Sequence, residues 1–156
     1  MSATLSAAPI TYTAVMNGAG ENPATGSPAT GSTTVIIDTA THFLNVTVTF
    51  AGLIGGNASA GHIHCCAAAP NNVGVAVPYV GFPAATSGLY LHTFDLTDPS
   101  SYTAAFLTFG GGTAAGAEAA LALGLANGQA YSNIHNSTFP GGEIRGQLAA
   151  VPEPGT

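Results

Sequence analysis

The chain has 156 residues, 46% of them apolar, enough for one domain with a sizeable core and too few for two. Only 5% are charged, and one Arg, no Lys and seven acidic residues give a formal net charge of −6. That balance argues against nucleic acid and against anionic membrane surfaces as partners, since both recruit Lys and Arg.

Residues 1–9 are expected to form a disordered N-terminus. Met1-Ser2-Ala3-Thr4 lacks the basic and long apolar regions of a signal peptide, and no stretch of about 20 apolar residues offers a bilayer span. Ile10 to Met16 alternates as a strand does, until Asn17-Gly18-Ala19-Gly20-Glu21-Asn22-Pro23 breaks the pattern. A turn-rich loop follows at Gly26 to Thr30. Thr33–Ile37 and His42–Phe50 read as a strand pair joined by a hairpin at Asp38-Thr39-Ala40-Thr41. In the second of these, Leu44, Val46, Val48 and Phe50 alternate with Asn45, Thr47 and Thr49, the period of a half-buried strand. Gly55-Gly56-Asn57 is a turn before a segment rich in His and Cys.

Val73–Val77 is a short strand limited by Pro78, and Gly88–Asp95 is another. Asp98-Pro99 reads as an N-cap with Pro at the first helical position, opening a helix over Ser100–Leu107. Thr113 opens a second, Ala- and Leu-rich helix that Asn127-Gly128 stops. Gly110-Gly111-Gly112 lacks the Lys of a phosphate-binding loop and reads as a hinge. Final strands at Gln129–His135 and Glu143–Val151 flank the Pro140-Gly141-Gly142 turn. The predicted class is therefore all-β, an antiparallel Greek-key sandwich or barrel of immunoglobulin or superoxide-dismutase type, with one helical insertion around 98–126.

Two short segments concentrate the chemistry. Gly61-His62-Ile63-His64-Cys65-Cys66 and Tyr131-Ser132-Asn133-Ile134-His135 hold three of the five histidines and both cysteines. Side chains alternate along a strand, so His62 and His64 share a face while Ile63 anchors in the core, and Ile134 does the same for His135. Side by side, the segments bring three imidazoles to one spot, a ligand set for copper or zinc. The competing reading is a buried hydrogen-bond network.

Cys66 falls on the face of His62 and His64 and is a candidate fourth ligand, whereas Cys65 points away. A vicinal Cys65–Cys66 disulfide is an equal alternative. Glu143 and Arg145, two residues apart, read first as an ion pair pinning the last strand, and second as support in which Glu143 accepts from a ligand His N–H. Asn133 is a second candidate for that supporting role. His42 and His92 read as surface or rim residues, and Glu21 as a residue that orders its own turn. No nucleophile elbow, zinc-protease helix or other catalytic constellation is present, so no catalytic residue is assigned.

Gly20-Glu21-Asn22-Pro23, Gly61-His62-Ile63-His64, Asn133-Ile134-His135 and Pro140-Gly141-Gly142-Glu143-Ile144-Arg145-Gly146-Gln147-Leu148 together resemble the CHRD domain, named after chordin. The resemblance spans residues 10–150 and implies an all-β extracellular domain without handing over an activity. Val151-Pro152-Glu153-Pro154 resembles the opening of a PEP-CTERM sorting signal, making 151–156 the start of a sorting tail. With the Cys pair, this tail looks like the bacterial branch of the family and implies export to the cell surface or surrounding matrix.

The leading expectation is thus an exported domain holding one copper ion, or failing that zinc, through His62, His64 and His135, for copper handling or redox chemistry. If it is an enzyme, it is a copper-dependent oxidoreductase of superoxide-dismutase kind. The alternative is a non-catalytic matrix or interaction module with structural histidines. A chain with so few charges is also compatible with self-association.

Overall fold

Alternation of apolar and polar residues resolves into nine strands among residues 8–152, the part of the chain that the computed structural model describes. They are β1 (Ile10–Asn17), β2 (Thr30–Asp38), β3 (Phe43–Ala51), β4 (Ala60–Cys65), β5 (Val75–Pro78), β6 (Gly88–Asp95), β7 (Ala130–His135), β8 (Ile144–Gln147) and β9 (Ala149–Ala150). Most of the expected N-terminal segment 1–9 and of the sorting tail 151–156 lies outside the described residues.

The strands form one antiparallel sheet in the order β5-β4-β7-β8-β1-β2-β3-β6, curled into half a barrel, with β9 beside β1. The all-β expectation is met. β4 follows β3 in the chain yet lies far across the sheet from it, and it pairs with β7, which brings the two histidine segments together.

One face of the sheet carries the apolar core. Leu44, Val46, Val48 and Phe50 of β3 are all buried, as their spacing predicts, and they pack in one cluster with Tyr12, Val35, Ile63, Ile134 and Ile144. At the β2–β3 hairpin the Asp38 carboxylate accepts from Ala40 N and Thr41 N at 2.9 and 3.2 Å, and His42 takes a left-handed φ of 63° to complete the turn.

Two helices, α1 (Ala104–Phe109) and α2 (Ala114–Ala126), fill the expected insertion between β6 and β7. The first starts later than predicted. Asp98 does cap Ser100 N at 2.9 Å, but only one 3-10 turn follows, because Tyr102 is extended and buries its ring. Thr103 then caps α1 by accepting from Phe106 N while donating its hydroxyl to Val75 O on the β5 edge. That second bond ties the helix start to the sheet. α2 begins at its Thr113 cap as predicted and buries Ala117, Leu121 and Leu125, four residues apart. Its Glu118 is buried and paired with His42, whose imidazole sits half-exposed on the rim, 2.9 Å away.

Candidate metal centre

The β4–β7 register places His62 opposite Asn133, His64 opposite Tyr131 and Ala60 opposite His135. Directly opposed residues of an antiparallel pair share a face, so His62, His64, Tyr131, Asn133 and His135 all stand on one side of the sheet. Asn133 pairs in turn with Arg145 of β8, which adds the guanidinium to the same face. Ile63 and Ile134 point the other way and are fully buried, anchoring both strands.

One nitrogen from each of His62, His64 and His135 lies within 4.8 Å of the others. Nitrogens bound to one ion at about 2.0–2.1 Å lie at most about 4 Å apart, so the free cluster is slightly wider than a loaded one. His64 is buried, and His62 and His135 are half-buried, which leaves one side of the cluster facing solvent.

Hydrogen bonds fix two of the rings. His64 Nδ1 donates to Val73 O at 2.7 Å and His135 Nδ1 donates to Pro140 O at 2.9 Å. A carbonyl oxygen only accepts, so both rings carry their proton on Nδ1. His62 Nδ1 is buried and has no hydrogen-bond partner among the described residues. Burial pushes the His62 imidazole down to about 4, helped by repulsion from His135 and His64. Burial also holds His64 and His135 below the ordinary imidazole range, against the carbonyls of Val73 and Pro140 that favour their protonation. Three neutral imidazoles, one with an orphaned nitrogen, fit a metal ion, which needs unprotonated ligands.

Around the rings the structure departs from the sequence expectations in three ways. Glu143 and Arg145 do not pair. The Glu143 carboxylate is fully buried and accepts from Ser27 Oγ at 2.7 Å, Ile54 N at 2.7 Å, Gly55 N at 3.3 Å and Asn136 Nδ2. Burial works to raise its pKa, yet these hydrogen bonds hold it below the ordinary value. Two of the four donors, Gly55 N and Asn136 Nδ2, lie in the interior, and together the four engage the whole carboxylate. It reaches no ligand histidine, so its support is to the loops, not to the rings.

Arg145 instead lies over the Tyr131 ring, 3.4 Å from its centroid, and donates to Asn72 Oδ1 at 2.7 Å and Asn71 O at 2.8 Å. Tyr131 stacks in turn on His64 at 4.6 Å and 9° between planes. Its hydroxyl reaches the same Val73 carbonyl that receives His64 Nδ1. The column Arg145–Tyr131–His64 thus fixes one candidate ligand from behind.

Cys66 is no ligand. It is joined to Cys65 in a vicinal disulfide, so no thiolate is available, and the sulfurs pack against α2 at Gly124, where a Cβ would collide with both. That leaves the three histidines without a sulfur partner.

Glu21 is the residue that sequence reasoning missed. It does not merely order its own turn. Its buried carboxyl stands 3.5 Å from Asn133 Nδ2, and burial raises its pKa to about 7 in spite of the Arg145 charge and that amide. Asn133 Oδ1 lies 2.9 Å from His64 Nε2 and 2.8 Å from His135 Nε2. The Gly-Glu-Asn-Pro turn was visible in sequence, but its partner lies 112 positions away.

The motifs that carry the resemblance therefore meet at one place. No curated protein and no solved structure is detectably similar to the chain. The family model of the CHRD domain matches residues 12–148, nearly the whole described span, and the chain belongs to the CHRD domain family.

Proposed function

We propose that the protein is an exported domain that holds one copper ion through His62, His64 and His135, for copper handling or redox chemistry outside the cell. The observation that carries this reading is the His62 Nδ1 atom, buried without a partner between two neutral imidazoles of fixed tautomer. Imidazole suits copper and zinc alike, and zinc is the second choice.

The chain's residues perform the binding work. β4 and β7 set the positions of the three rings, the Val73 and Pro140 carbonyls aim two of them, and the Tyr131–Arg145 stack holds His64 from behind. A bound copper ion would supply one-electron chemistry there. The solvent-facing side beside His62 and His135 gives a small molecule access. Export to a bacterial cell surface or matrix is supported by the PEP-CTERM-like tail, and the Cys65–Cys66 disulfide suits an oxidising compartment.

The test is to titrate the purified protein with Cu(II) and Zn(II), and to record the EPR spectrum of the copper form beside a His62→Ala/His135→Ala variant. One copper per chain, lost in the variant, supports the proposal. Absence of tight binding by the wild type overturns it and leaves the non-catalytic matrix module. A superoxide dismutation assay on the copper-loaded protein then separates an oxidoreductase from a carrier.

A further inference from the structure

The two edges of the sheet are built differently. The edge strand β5 has four residues and ends at Pro78. It is also covered, since Thr103 N donates to Ala76 O at 3.1 Å and Thr103 Oγ1 to Val75 O at 2.6 Å. At the other edge, β6 runs for eight residues and pairs with β3 in an unbroken register. No Pro, Lys, Arg, Asp or Glu interrupts Gly88 to Phe94. Short length, Pro, charge and covering segments are the means by which an edge is kept from pairing, and β6 has none of them.

The ladder shows which backbone groups stay open. Leu96 N donates to His42 O at 2.8 Å, and the same register continues along β3 and β6. Phe94, His92, Tyr90 and Gly88 therefore bond to β3, while Leu89, Leu91 and Thr93 turn their N–H and C=O groups outward. Among the described residues no other backbone group takes these up. Leu89 and Leu91 are also 57% and 66% exposed, so the open edge carries an apolar face.

A two-fold axis through Leu91 answers this edge with itself. Leu91 then faces the partner's Leu91, and Leu89 faces the partner's Thr93, each opposed pair exchanging both of its hydrogen bonds. Their side chains share one face, so a pair of leucines crosses the seam at its centre. Asp95 falls opposite the partner's Ser87 and meets no second carboxylate. Charge selects the direction. Asp38 aligns with Phe43 and Phe43 with Asp95, so both carboxylates stand at one end of the edge. A parallel mate would set these ends side by side. Antiparallel pairing holds the two Asp95 groups about 27 Å apart, at about 3.4 Å per residue, beyond a screening length of about 10 Å.

We propose that two copies of the chain associate through β6, edge to edge and antiparallel about Leu91, so that their sheets run on as one. The seam lies at the other end of the strand order from β4 and β7. It draws on none of the three histidines and does not rest on the metal reading. Each copy has one such edge, and the seam occupies it, so assembly stops at two.

Sedimentation equilibrium of the metal-free protein, from micromolar to submillimolar concentration, is the first measurement. Wild type is expected to pass from monomer to dimer within that range, as suits a small seam. Leu91→Lys opposes two ammonium groups at the axis, and Thr93→Pro removes an outward N–H that β3 does not use. Each is expected to weaken the dimer about 10-fold or more, with circular dichroism melts showing that it folds. Leu91→Cys reads the register. Opposed Cα atoms of a bonded antiparallel pair lie about 5.5 Å apart, within disulfide reach, and the native cysteines are already joined to each other. Oxidised glutathione is expected to link this variant as a dimer and to leave Val15→Cys, exposed on β1, unlinked. Leu91→Cys decides the matter if the Lys and Pro variants do not fold. A wild type that stays monomeric throughout overturns the proposal. So does a dimer that survives both folded variants, one that Leu91→Cys fails to link, or assembly that continues beyond two.

Discussion

The Glu143 carboxylate and the backbone N–H of Ile54 meet at 2.7 Å across 89 positions of sequence. Through the same side chain, Ser27 and Asn136 are drawn to one buried point, so three loops at one end of the sheet close on a single charge. Replacing it leaves the buried donors of Gly55 and Asn136 without an acceptor. Glu143→Ala is expected to lower unfolding stability by about 3 kcal/mol or more, since each bare buried donor costs roughly 1–3 kcal/mol. Glu143→Gln should cost less but still be measurable in urea denaturation. A change under about 1 kcal/mol in the Ala variant would show that water replaces the carboxylate.

The disulfide makes an opposite prediction for the cysteines. With no thiolate in the ligand set, a Cys65→Ser/Cys66→Ser variant is expected to bind one metal ion per chain with wild-type affinity. Metal content by mass spectrometry after dialysis checks this. Loss of binding in a folded double variant would return Cys66 to the ligand set.

Acid stability follows from the buried rings. His62, His64 and His135 all have folded pKa values below their unfolded value of about 6.5, His62 at about 4. Between those limits the unfolded chain binds more protons, so the stability they contribute is present above about pH 6.5 and is lost as pH falls below it. Glu21, raised to about 7, works in the other direction: its contribution is present at low pH and is lost as pH rises toward 7. The shifts of His62 and Glu21 are of similar size and opposite effect, while His64, His135 and the lowered Glu143 all add to the loss in acid, so the melting temperature of the metal-free protein should decline from pH 7 to pH 4. Glu21→Gln removes the opposing group and should steepen that decline. Melts followed by circular dichroism at a series of pH values give the answer, and a flat wild-type profile would contradict the buried, neutral assignment of the rings.

Much of this molecule is legible wherever a local period decides the outcome. The alternation of Leu44, Val46, Val48 and Phe50 marks β3, and His-Ile-His with Asn-Ile-His marks the two faces of β4 and β7. What escapes local reading is set by partners distant in sequence. Glu143 and Arg145 are two apart and of opposite charge, yet each is engaged by a different loop, one at Ile54–Gly55 and one at Pro70–Asn72. Cys66 leaves the histidine face because its sulfur bonds its neighbour and packs at Gly124 on α2, a helix that follows only after β5, β6 and α1. Alternation foretells which face a side chain takes, but not which of several polar groups will claim it.

Arg145 is the chain's single Lys or Arg, and it is spent inward, 3% exposed against Tyr131 and the Pro70–Asn72 loop. Around neutral pH the outside of the described fold therefore offers its surroundings fixed charge of one sign only. Small cations gather in such a field and polyanions are turned away, both more weakly as ionic strength rises. The exterior thus favours the approach of the kind of ion proposed to bind at the three imidazoles.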